Sequence, residues 1–133
     1  WMRTQMSCQY ETTSDDGGTT WSPAGPGPVV SPESPVAVAR HEASGQLMMV
    51  WNHNRRGAHT ADRTPVCVAF SNDEGGSWSN EHRLDPSVDD TGDGRSFSYP
   101  GAHFIGDQGI VTYYENSDRQ ISLVVRRFEL ATS

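Results

Sequence analysis

Apolar and polar positions alternate along most of the chain, the mark of half-buried strands, and clusters of Gly, Pro, Asn, Asp and Ser separate the runs. The pattern predicts strands over residues 2–5 and 8–13, and Trp21 opens an outer strand. Pro23-Ala24-Gly25-Pro26-Gly27-Pro28 holds too much proline for a helix or a central strand, and an irregular crossing is expected there. Further strands are expected over 35–41, 46–52, 64–71 and 78–84. An acidic, glycine-bearing loop over 85–94 then leads into three last strands over 99–105, 109–115 and 121–130. No stretch asks for a helix, so the fold class is all-β.

One pattern occurs twice. Ser14-Asp15-Asp16-Gly17-Gly18-Thr19-Thr20-Trp21 and Ser71-Asn72-Asp73-Glu74-Gly75-Gly76-Ser77-Trp78 both read S-x-D-x-G-x-(T/S)-W, and Ser14 stands 57 residues before Ser71. The serine and aspartate oxygens can accept from the turn's own N–H groups, and glycine supplies a positive φ where the chain reverses. The tryptophan adds a large apolar surface to the returning strand. No residue of the pattern is a nucleophile, a base or a metal ligand, so it specifies architecture: Ser14, Asp16, Gly18 and Trp21 in one hairpin, Ser71, Asp73, Gly75 and Trp78 in the other.

This pattern resembles the Asp-box of the bacterial neuraminidase repeats found in sialidase-like six-bladed β-propellers. The resemblance implies a partial β-propeller of two and a half to three four-stranded antiparallel blades. Residues 1–30 would end one blade, 31–85 form a complete one, and 86–133 form a last blade lacking its closing strand. A whole six-bladed ring at this repeat would need roughly 340 residues, and the chain has 133. It also opens on Trp1 without an initiator methionine, which reads as a C-terminal fragment or processed piece. Both boxes are expected at hairpins between third and fourth strands on one rim, with each tryptophan packed and largely buried. Asp-boxes also occur in propellers that are not sialidases, so they leave activity open.

Composition narrows the partners. The net charge is −7 and all ten basic residues are arginine, an acidic balance that argues against nucleic acid. No apolar run reaches membrane-spanning length. Cys8 and Cys67 fall in separate expected strands and read as buried free thiols rather than a disulfide. His41, His53, His59, His82 and His103 are scattered without ligand spacing, so neither a metal site nor any other cofactor is expected. The compartment stays open, with a secreted or periplasmic one favoured over the cytoplasm.

The resemblance also implies chemistry. In sialidases three arginines hold the substrate carboxylate, a tyrosine assisted by a glutamate is the nucleophile, and an aspartate is the acid/base. Tyrosine suits this task because the anomeric carbon of sialic acid already bears a carboxylate, which would repel a carboxylate nucleophile. Arg3, in Met2-Arg3-Thr4-Gln5 before the first box, is similar to the family's middle arginine. Arg63, in Arg63-Thr64-Pro65-Val66 before the second box, is similar to the third, and Arg55 and Arg56 compete for that role. Tyr99, in Ser98-Tyr99-Pro100-Gly101-Ala102, is similar to the nucleophile and lies 36 residues beyond Arg63. Tyr113-Tyr114-Glu115 resembles a following stretch, and no substrate contact is assigned to it.

Each residue has a plainer role open to it. Arg3 can be an exposed edge residue, Arg55 and Arg56 can line the rim, and Tyr99 can pack under a loop, a task Phe97 can do instead. The family's first arginine, its acid/base aspartate and its activating glutamate would lie upstream of Trp1. The expectation is therefore an exo-sialidase-like glycoside hydrolase acting on an acidic, sialic-acid-like sugar, with this chain alone inactive because an unassisted phenol attacks poorly at neutral pH. The alternatives are a non-catalytic sugar- or protein-binding propeller and a fragment that self-associates through its open strand edges.

Overall fold

The computed structural model describes residues 1–54, 63–85 and 94–130. Nine strands form three antiparallel sheets, and no α-helix occurs among the described residues. Strands β1 (Cys8–Glu11) and β2 (Gly25–Val30) make the first. The second runs β3 (Ala37–Arg40), β4 (Leu47–Asn52), β5 (Val66–Ser71), β6 (Ser79–Arg83) in sequential order, as a propeller blade does. The third holds β7 (Ser96–Ile105), β8 (Gln108–Ser117) and β9 (Gln120–Glu129). The chain is an all-β, partial propeller.

β4 explains why the sheets stack. All six of its residues are buried, and their alternation serves two layers. Met48 and Val50 join Val66 and Val68 of β5 against Phe97, Val111 and Tyr113 of the third sheet. Met49 and Trp51 join Cys67 and Ala69 against Val29 of the first. A strand sandwiched between sheets has no solvent face, so its sequence is a continuous apolar run. Truncating a side chain such as Met48 should cost about 2–5 kcal/mol.

Both boxes form the hairpin that their residues specify. In the first, Gly18 N donates to Ser14 Oγ (2.8 Å), Thr20 N to Asp16 Oδ1 (2.9 Å) and Thr20 Oγ1 to Asp16 Oδ2 (2.7 Å). In the second, Gly75 N donates to Ser71 Oγ (2.9 Å), Ser77 N to Asp73 Oδ1 (2.8 Å) and Ser77 Oγ to Asp73 Oδ2 (2.6 Å). Gly18 and Gly75 take φ of 90° and 87°, and Cζ2 of Trp21 or Trp78 would meet a Cβ there at 3.6 or 3.5 Å. These donors, first the Thr20 or Ser77 hydroxyl, hold Asp16 and Asp73 at about 2. The second box joins the third and fourth strands of its sheet.

Three expectations need correction. Trp21 is 60% exposed rather than packed away. Its indole N–H donates to Gly18 O (3.0 Å), but no neighbouring sheet covers it among the described residues. Trp78 by contrast packs against the cluster of Val29, Met49, Trp51, Cys67 and Ala69 and stands edge-on to Trp1 at 6.1 Å. The proline-glycine run is no irregular crossing: Gly25–Val30 is β2 itself. It can be a strand because it has one partner only, and an edge strand tolerates proline. The strand expected over 2–5 reduces to a single bridge from Met2 to Tyr10.

Candidate functional site

Arg63 lies just before β5 and is pinned through its backbone. Its carbonyl accepts from Phe97 N (2.9 Å) and from Asn52 Nδ2 (2.9 Å), and the same Asn52 amide donates to Phe97 O (3.1 Å). Asn52, the last residue of β4, thus ties the second sheet to the start of β7. The Arg63 side chain is only 7% exposed. Its Nη2 donates to Glu33 O (3.2 Å), while Nε is buried without a partner. Among the described residues no carboxylate pairs with this guanidinium. A buried cation with one neutral hydrogen bond is costly unless something else compensates.

Tyr99 covers it. The Arg63 guanidinium carbon stands 5.3 Å from the Tyr99 ring centroid, a cation–π contact worth about 0.5–2 kcal/mol. Yet the tyrosine is 59% exposed, so it roofs the arginine and still faces solvent. The backbone explains this placement. β7 slips register against β8 between Ser98 and Gly101, and Tyr99 adopts φ of 52°. A bulky residue in the left-handed region is strained, and such strain concentrates where a side chain must be aimed. Gly101 completes the bulge: a Cβ there would meet Thr112 Oγ1 at 2.7 Å. Phe97 takes the packing role, buried edge-on against Tyr113 with centroids 5.6 Å apart.

The remaining candidates divide. Arg3 is exposed, and among the described residues it makes no hydrogen bond or ion pair. Its segment does approach the Arg63 environment, since Gln5 Nε2 donates to Glu33 Oε2 (3.1 Å) and Glu33 O receives Arg63. Buried Gln9 fixes that connection from below, donating to Ser31 Oγ and Ser34 O (both 2.8 Å). Arg55 and Arg56 lie outside the described residues. Tyr113 is a core residue whose hydroxyl accepts from Arg126 Nε (3.3 Å), and burial raises its pKa. Glu115 faces Arg95 at 3.6 Å. Sequence reasoning missed Asn52, Glu33 and Gln9, which build the floor; an asparagine ending an otherwise apolar strand was the one available signal.

Chemically, Arg63 and Tyr99 offer a desolvated cation with an unused N–H beside a phenol and an aromatic face. That combination suits a carboxylate attached to a ring. Residues 1–111, which include both boxes, Arg63 and Tyr99, match the family of BNR repeat-like domains. No curated protein matches the chain. Two boxes that share their serine and aspartate hydrogen bonds, sequential antiparallel strands and the family match agree: the chain belongs to the BNR repeat-like domain family.

Proposed function

We propose that Arg63 and Tyr99 belong to the binding site of an acidic, sialic-acid-like sugar, in a propeller of the exo-sialidase-like glycoside hydrolase type. The observation that carries this reading is the buried Arg63, unpaired at Nε and roofed by an exposed, strained Tyr99. An anion that reached the guanidinium would supply the charge compensation it lacks. Arg3 would approach the same carboxylate once the sugar is bound.

In the retaining reaction that fits this site, the Tyr99 oxygen attacks the anomeric carbon as its proton passes to a carboxylate base. The glycosidic bond breaks, and the leaving oxygen takes a proton from an acid. Water then cleaves the glycosyl-tyrosine, returning the proton to the phenol. This chain supplies the nucleophile and the anion clamp but has no residue assigned as base or acid, so by itself it is expected to bind without turnover. A binding-only propeller is the second reading, because an exposed aromatic ring over a fixed cation can hold a sugar without attacking it.

Titration with N-acetylneuraminic acid, followed through the ligand's NMR signals, tests the shared element. Tyr99→Ala should remove most of the affinity and Tyr99→Phe should keep it. Equal binding by wild type and Tyr99→Ala would refute the site. Hydrolysis of an aryl sialoside by the wild-type chain alone would contradict the expectation that it binds without turnover.

A further inference from the structure

Strand register assembles a donor cluster that no sequence motif announces. His53 follows β4, Cys67 lies in β5 and Glu81 in β6, each 14 residues from the next. Antiparallel pairing puts Cys67 opposite Trp51 and Arg83, so neighbours of those two residues come alongside the thiol. One donor atom from each of His53, Cys67 and Glu81 lies within 4.8 Å of the other two. His53 Nδ1 and Glu81 Oε1 are 2.5 Å apart, and the imidazole is tilted on Trp51 with centroids 5.6 Å apart. The backbone N–H of His53 donates to Pro65 O (3.1 Å). Cys67 is buried, whereas the His53 and Glu81 side chains reach solvent. The cluster thus has a buried soft donor and two harder donors that reach solvent.

We propose that His53, Cys67 and Glu81 bind a divalent cation of the zinc class, at a site built from other residues than Arg63 and Tyr99. Thiolate, imidazole and carboxylate are the donors zinc takes, and three of them leave a fourth position for water. Metal–ligand bonds of about 2.0–2.3 Å set neighbouring donors roughly 3.3–3.7 Å apart in a tetrahedron. The three donors already lie within 4.8 Å of one another, and the His53–Glu81 contact at 2.5 Å must open by about 1 Å to admit the ion. Charge also favours it: a thiolate and a carboxylate together neutralise a dication.

Without an ion, burial first and the Glu81 charge second push the Cys67 thiol up to about 12, so it is no nucleophile. On binding, the cation replaces the thiol proton, which leaves to solvent, and the Nδ1 proton that His53 donates to Glu81 is given up to solvent or moved to Nε2, freeing the Nδ1 lone pair for the metal. The ion would cross-link three adjacent strands of the second sheet.

The test is a titration of the full chain with Co2+ alone. A cobalt–thiolate charge-transfer band in the near ultraviolet, saturating at one ion per chain and bleached by added Zn2+, is expected. Cys67→Ser should abolish the band and Cys8→Ser should leave it. Because Cys67 is a core residue, Glu81→Gln on the exposed outer strand provides the second variant, with affinity expected to fall about tenfold or more. No band with the wild type, a band surviving Cys67→Ser, or unchanged affinity in Glu81→Gln would each overturn the site.

Discussion

Replacing Arg63 with methionine separates a residue kept for a ligand from one kept for the fold. The methionine stem fills most of the same buried volume and removes the charge. What is lost is the Nη2 bond to Glu33 O at 3.2 Å, about 1.5–3 kcal/mol for a charged donor, and the stacking on Tyr99, about 0.5–2 kcal/mol. What is relieved is the burial of a guanidinium whose Nε has no partner, about 1–3 kcal/mol or more. The backbone bonds to Phe97 and Asn52 remain, because they use the Arg63 carbonyl. The losses add to about 2–5 kcal/mol against a relief of about 1–3 kcal/mol or more, so Arg63→Met should cost no more than about 2 kcal/mol. Urea unfolding followed by tryptophan fluorescence gives the number. A loss above about 3 kcal/mol would show that Arg63 is a structural residue and remove the physical basis of the anion site.

Asn52→Ala should behave oppositely, costing about 2–4 kcal/mol in the same assay, because it strips a buried donor from both the Arg63 and Phe97 carbonyls. Asp16 and Asp73 titrate near 2 in the fold against the usual 3.8. Their contribution is therefore complete above about pH 4 and disappears as pH falls towards 2, and Asp73→Asn should flatten that part of a stability–pH curve. On β8 and β9, Tyr114, Leu123 and Val125 share one exposed face, and Met6 and Trp21 are exposed on the first-sheet segment. Two such apolar surfaces favour head-to-tail pairing of chains, so sedimentation should show concentration-dependent association that Leu123→Glu weakens. A clean monomer at high micromolar concentration would contradict this.

Much of the fold was legible because its signals are local. The two boxes need only eight consecutive residues to close their hydrogen bonds, and alternation marks β3 to β9 within a few residues. The apolar run Leu47–Trp51 fits burial on two sides, but the sequence pattern marks the strand expected over 46–52 only as one of the half-buried strands. Errors arose where neighbours decide the outcome. Pro26 and Pro28 look incompatible with a strand until β2 proves to be an edge, and Trp21 shares its motif with Trp78 but lacks the packing that covers it. At the site, Arg63 and Tyr99 were visible through family resemblance, whereas Glu33 O, a backbone acceptor, carries no side-chain signature. His53, Cys67 and Glu81 meet through register between three strands, and sequence spacing alone does not encode that register.

The account rests on Arg63 as a receptor for a sugar carboxylate. Calorimetric titration of the wild-type chain with N-acetylneuraminic acid and with its methyl ester measures this directly, since the ester removes the charge and adds only one methyl group. Binding of the acid, with none or far less of the ester, and loss of that preference in Arg63→Met, is the predicted result. Acid and ester binding equally, or a preference for the acid that survives Arg63→Met, would contradict the account.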